Sequence, residues 1–144
     1  MKKILPKTVG ILIACVAVFL FNSCIYQKYL ANVDPAVVKE LIRLGVVPTA
    51  VAKVQQIEIP EDLNTDGYYY YTPACEQGGY DLNPYAGKTV TLTSVDIKGT
   101  CLSEKITIRV FSEEDKIACA YLTFREGSSG APGIFSVNDA ECKY

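Results

Sequence analysis

From Thr8 to Ile25 no residue carries a charge, and this 18-residue run follows Lys2, Lys3 and Lys7. An apolar helix of that length rises 1.5 Å per residue and reaches across most of a hydrocarbon core roughly 30 Å thick. Residues 8–25 therefore predict an N-terminal transmembrane helix. Lysines close to its start favour a cytoplasmic N-terminus with the remainder of the chain outside. Tyr26 and Tyr29, separated by Gln27 and Lys28, suit the headgroup level, where a ring sits in apolar surroundings and its hydroxyl stays wet. A secretory signal has the same dimensions. Phe21 spoils an ordinary cleavage site, whereas Ser23 before Cys24 resembles the end of a lipoprotein signal. The reading adopted is a retained anchor, with lipidation of Cys24 as its alternative.

Beyond the membrane segment the period changes. Asp34-Pro35 supplies a capping oxygen and a proline for the first helical turn, and Val37, Val38, Leu41, Ile42 and Leu44 recur at helical spacing before Gly45. One short helix is expected there. Val54, Ile57 and Ile59, closed by Pro60, predict a short edge strand. Tyr68 to Tyr71 favour a strand by propensity, yet Pro73, Gly78 and Gly79 leave a helical turn near Ala74 to Gln77 equally open. Thr89 to Ile97, Lys105 to Phe111 and Ile117 to Phe124 are rich in β-branched and aromatic residues and predict three strands, the last two joined as a hairpin through Ser112 to Lys116. Alternation puts Ile106, Ile108 and Val110 on a packed face and Thr107 and Arg109 on a wet one. Glu126 to Gly133 is a loop, and Ile134, Phe135 and Val137 predict a last strand. The expected class is α+β, with one short helix packed on a small, mainly antiparallel sheet. Residues 1–25 form the anchor or signal, 26–53 a juxtamembrane segment and helix, and 54–144 a small extracytoplasmic domain.

Charge and cysteines narrow the function. All 16 acidic residues follow Ile25, against 11 basic ones, so the external part has an acidic excess that does not attract nucleic acid. Its 119 residues suffice for one domain with a modest core. Cys75, Cys101, Cys119 and Cys142 lie where oxidation is possible, and four cysteines allow three pairings among which spacing does not choose. Free thiols are the competing reading. A zinc site is not expected, because no ligands are closely spaced and the chain has no histidine.

The order of residues from Glu40 to Asp139 resembles a bacterial family catalogued only as domain of unknown function 4830. The likeness lies in Leu41-Ile42-Arg43-Leu44-Gly45, Ile57-Glu58-Ile59-Pro60-Glu61, Gln77-Gly78-Gly79-Tyr80-Asp81-Leu82, Tyr85-Ala86-Gly87-Lys88 and the late Ser136-Val137. This chain departs from the pattern in its tyrosine run, in its extra cysteines and in Pro73, where a continuous helix is expected. The resemblance implies a small domain behind a membrane anchor or signal in Gram-positive-type bacteria. It brings no activity, cofactor or catalytic residue.

Without histidine there is no triad of the usual kind and no commonplace general base near neutral pH. Ser103 and Lys105 are two neighbours on one strand face, and Gly127-Ser128-Ser129-Gly130 has neither the spacing of a nucleophile elbow nor a phosphate-loop lysine. Asp62, Asn64 and Asp66 start like a calcium loop, but the twelfth position is Pro73. Neither a cofactor nor a metal is expected. Tyr68 to Tyr71 form the densest aromatic group, and a strand would turn two of the four outward. Tyr69 and Tyr71, with Ser128 and Ser129 of the late loop, are the candidate recognition surface. The expected function is a non-enzymatic, membrane-tethered extracytoplasmic domain that binds a protein or cell-envelope partner. The alternative is a small envelope hydrolase using paired carboxylates.

Overall fold

The computed structural model describes residues 24–65, 67–126 and 133–144. The expected span over residues 8–25, apart from Cys24 and Ile25, lies outside the described residues, as do Ser128, Ser129 and Asp66. Among the described residues no helix is long and apolar enough to cross a membrane.

Residues 24–30 are helical, here called α1. They lead into α2, Pro35–Arg43, whose N-cap Asp34 accepts a hydrogen bond from the Ala36 amide at 2.7 Å and whose end is released by Gly45 at φ +71°. Strand β1 covers Lys53–Glu58, and helix α3 covers Tyr68–Gln77. A 3-10 turn at Asn83–Tyr85 precedes β2, Thr89–Cys101, β3, Glu104–Glu113, and β4, Lys116–Phe124. The short strands β5, Ile134–Ser136, and β6, Cys142–Lys143, complete a six-stranded sheet.

Every pairing in the sheet is antiparallel, in the order β1-β2-β3-β4-β5. β6 joins the outer edge of β2 through Thr100 and Cys101, beyond the stretch that β1 occupies. The class is α+β. The predicted edge strand, the β3–β4 hairpin and α2 are all present, and β6 is an element the pattern of two residues is too short to announce.

Two apolar layers hold the sheet. On one face Val95, Ile97, Ile106, Ile108, Val110 and Leu122 meet Leu30, Val33, Val37, Leu41 and Val46. Val37, Leu41, Ile106, Ile108 and Val110 are fully buried, each side chain of this kind contributing about 1.5–3 kcal/mol by leaving water. Residues from 26 onward thus share a core with the strands. Tyr26 is half-buried against this core and donates its hydroxyl hydrogen to the Val46 carbonyl. Tyr29 packs beside it.

The other face departs from expectation. Alternation predicted it wet, but α3 lies over part of it and closes a second core of Ile59, Ala74, Cys75, Leu82, Leu92, Phe111 and Tyr121. The sheet therefore carries helices on both sides rather than the one short helix expected. Cys75 on α3 is joined to Cys119 on β4, and Cys101 on β2 to Cys142 on β6. One of the three possible pairings is realised, and the free-thiol reading is set aside for these four residues.

Candidate functional site

Strand register lays out the second face as rows of side chains. One row runs Gln55, Leu92, Phe111, Cys119, the next Lys53, Ser94, Arg109, Tyr121, Ser136, and the next Asp96, Thr107, Thr123, Ile134. Helix α3 covers the first row and Tyr121. The rest of the second and third rows forms the floor of a groove.

The tyrosine run builds one wall because it is helical. Gly67 at φ +82° turns the chain into α3, and Thr72 Oγ1 donates to the Tyr68 carbonyl at 3.0 Å. Pro73, inside the helix, has no amide hydrogen to offer the Tyr69 carbonyl; its exposed position lets water serve instead. At about 100° per residue the four rings do not alternate in and out as a strand's would. Tyr71 turns inward and stacks on Tyr121 with centroids 5.0 Å apart, and Tyr68 meets the edge of Tyr71 at 5.5 Å. Tyr69 and Tyr70 project outward, 48% and 57% exposed, their rings 3.7 Å apart. The outward pair is thus Tyr69 and Tyr70, where alternation selected Tyr69 and Tyr71.

Two adjoining cavities open along the groove, and Arg109 lines both. The larger, about 520 Å³, is bounded by Gly67, Tyr70, Tyr71, Arg109, Tyr121, Thr123 and Ile134. The smaller, about 300 Å³, includes Lys53, Ser94, Asp96, Thr107, Arg109 and Arg125. Volumes of this order suit small-molecule sites.

Charges in the groove are mostly matched. Arg125 Nε lies 3.1 Å from Asp96 Oδ2, and Asp96 Oδ1 accepts from Thr107 Oγ1 at 2.5 Å. Arg125 also donates to Thr49 Oγ1 at 3.0 Å. Lys53 reaches Glu126 at 3.4 Å across open solvent. Arg109 is the exception: among the described residues no carboxylate ion-pairs with it, and its Nε, like Arg125 Nε and the Thr93 hydroxyl oxygen, is buried without a hydrogen-bond partner. Burial pushes the Tyr121 hydroxyl pKa well up, and the neighbouring Arg109 guanidinium opposes that rise. The arrangement presents one uncompensated positive fork, flanked by hydroxyls and aromatic rings.

Those remaining sequence candidates that fall among the described residues lie apart from this groove. Cys24 is exposed in α1 with a free thiol. The disulfide cysteines are structural, Cys75 and Cys119 beneath α3 and Cys101 and Cys142 at the far end of β2. Asp62 Oδ1 accepts from the backbone and side-chain nitrogens of Asn64, an Asx turn, and no group of metal-binding side chains occurs among the described residues. Asp96 and Glu126 line the smaller cavity as the two carboxylates a hydrolase would call on, but each is already held by a cation. Arg109 escaped the sequence reading because it looked like one more solvated strand residue. The available signal was a lone arginine inside the apolar run Ile106 to Phe111.

Comparison with known proteins finds no matching family model, no matching curated protein and no matching solved structure.

Proposed function

We propose that this chain is a membrane-tethered binding module, with residues 8–25 as its anchor, its N-terminus cytoplasmic and its α+β domain outside, and with no catalytic activity of its own. Three lysines ahead of the apolar run support that orientation. Two disulfides support an oxidising compartment. A lipid on Cys24 in place of the anchor would leave the domain on the same side. The likeness to domain of unknown function 4830 accords with a tethered domain and adds no activity. The partner is a protein or a component of the cell envelope.

The observation that carries the binding reading is Arg109, without a counter-charge among the described residues, on the floor of a groove walled by Tyr70, Tyr71 and Tyr121. A buried unmet donor is costly, on the order of 1–3 kcal/mol, and the guanidinium that carries it has no carboxylate partner among the described residues. Nothing in the groove requires a bond to be broken. A photo-reactive residue at position 70, at the groove mouth, should capture a discrete partner in whole cells, and one at Leu102, on the remote β2–β3 turn, should not. Equal capture at both positions, or none at 70, would count against the groove as the binding surface.

A further inference from the structure

We infer that the groove takes an acidic sugar, its carboxylate held by Arg109 and its ring laid against the tyrosine wall; this deepens the binding reading above and rests on it. Three observations lead there. Arg109 sits on β3, an interior strand whose backbone groups are already paired with β2 and β4. A ligand seated over Arg109 therefore finds no free strand edge beneath it, the sheet edges in the groove belonging to β1 and β5, and at this point the occupant is read by side chains. Those side chains are hydroxyls on the floor, Ser94, Thr107 and Thr123, and aromatic rings on the wall, a combination suited to a polyhydroxylated ring with one polar rim and one apolar face. Among the described residues of the groove, the charge without an opposite partner is a guanidinium whose fork matches the two oxygens of a carboxylate. The overall acidic excess of the chain makes non-specific attraction of polyanions a poor alternative.

The test is titration of the full-length protein in detergent micelles with D-glucuronate, D-glucose, acetate and inorganic phosphate. With ten tyrosines and no tryptophan, tyrosine emission reports occupancy. Glucuronate should bind at least about tenfold more tightly than glucose, which lacks the charge, and than acetate or phosphate, which lack the sugar ring. Arg109→Gln should reduce glucuronate affinity by about tenfold or more, and Arg109→Lys by less, because an ammonium keeps the charge although it cannot reproduce the fork. Ser94 faces Arg109 across the β2–β3 pair, so Ser94→Asp supplies the missing counter-charge and should block glucuronate with Arg109 still in place. That second variant keeps the test decisive if Arg109→Gln fails to fold. Glucuronate binding no tighter than glucose overturns the proposal, as does wild-type binding by Ser94→Asp. Phosphate or acetate binding as tightly as glucuronate overturns the sugar. Capture of a partner from position 70 together with any of these failures leaves the binding reading standing and removes only the ligand class; loss of both removes both.

Discussion

Gly99 adopts φ +148° inside β2, where the register with β3 slips between Asp96 and Thr100. A Cβ built there would lie 2.5 Å from the Lys143 carbonyl oxygen and 2.9 Å from the Tyr144 Cα. Two separate demands, an unusual dihedral and the close passage of another backbone, thus converge on one glycine. Gly99→Ala should destabilise the domain by about 2 kcal/mol, lowering the denaturant midpoint and raising hydrogen exchange first at Cys142 and Lys143. An unchanged midpoint would mean that β6 yields without loss. A glycine in a strand pattern is visible in the sequence as a suspected bulge. The neighbour that makes it necessary lies more than 40 residues away in the chain and is not. Arg109 teaches the same lesson: its place on the second face follows from alternation, but the absence of a partner is a property of everything folded around it.

Among the elements, α3 departs most from local preference. Four tyrosines in succession favour a strand, and Pro73 forgoes a helical hydrogen bond, yet the segment is one continuous helix. The compensation is tertiary: Tyr71 stacks on Tyr121, Ala74 and Cys75 are buried, and Cys75 is bonded to Cys119 across 44 residues. Closing a loop of that length removes unfolded-chain entropy worth about 4 kcal/mol. Replacing Cys75 and Cys119 by alanine should cost roughly that much, and it should expose Tyr71 and Tyr121, seen as altered near-ultraviolet circular dichroism. Replacing Cys101 and Cys142, which close a similar loop of 41 residues, should cost a similar amount but leave the aromatic signal in place, because that bridge secures β6 and not α3. Identical spectra for the two double variants would sink the distinction. Helix α2 and the β3–β4 hairpin present the opposite case. Their caps, spacing and turn residues all agree with the final structure, so local pattern suffices for them.

At the scale of the whole molecule, stability should fall on both sides of neutrality for separate reasons. Glu40 is held below the ordinary glutamate value of 4.5, first by its hydrogen bond from Arg43; burial opposes this, and the Tyr80 hydroxyl and the Arg43 charge add to the lowering. Its pKa is lower folded than unfolded, so its contribution is present above pH 4.5 and is lost as pH falls through the folded value. Tyr26, Tyr80, Tyr121 and Tyr144 are all pushed above 10.0, chiefly by burial. Their contribution is present below pH 10.0 and disappears as pH rises further. Thermal midpoints measured across pH should therefore drop at both extremes, and Glu40→Gln should flatten the acid limb alone. Tyrosinate absorbance should appear in two stages, with the second accompanying unfolding; a single early stage would contradict the burial of these rings. The α+β class, the run of strands and the helix after Asp34 were legible from the chain because caps, turns and apolar periodicity are enforced within a few residues by backbone geometry. Which cysteines pair, which tyrosines face water, and that one arginine lies uncompensated between two cavities were decided only when distant segments met, since each depends on what packs across the sheet from it.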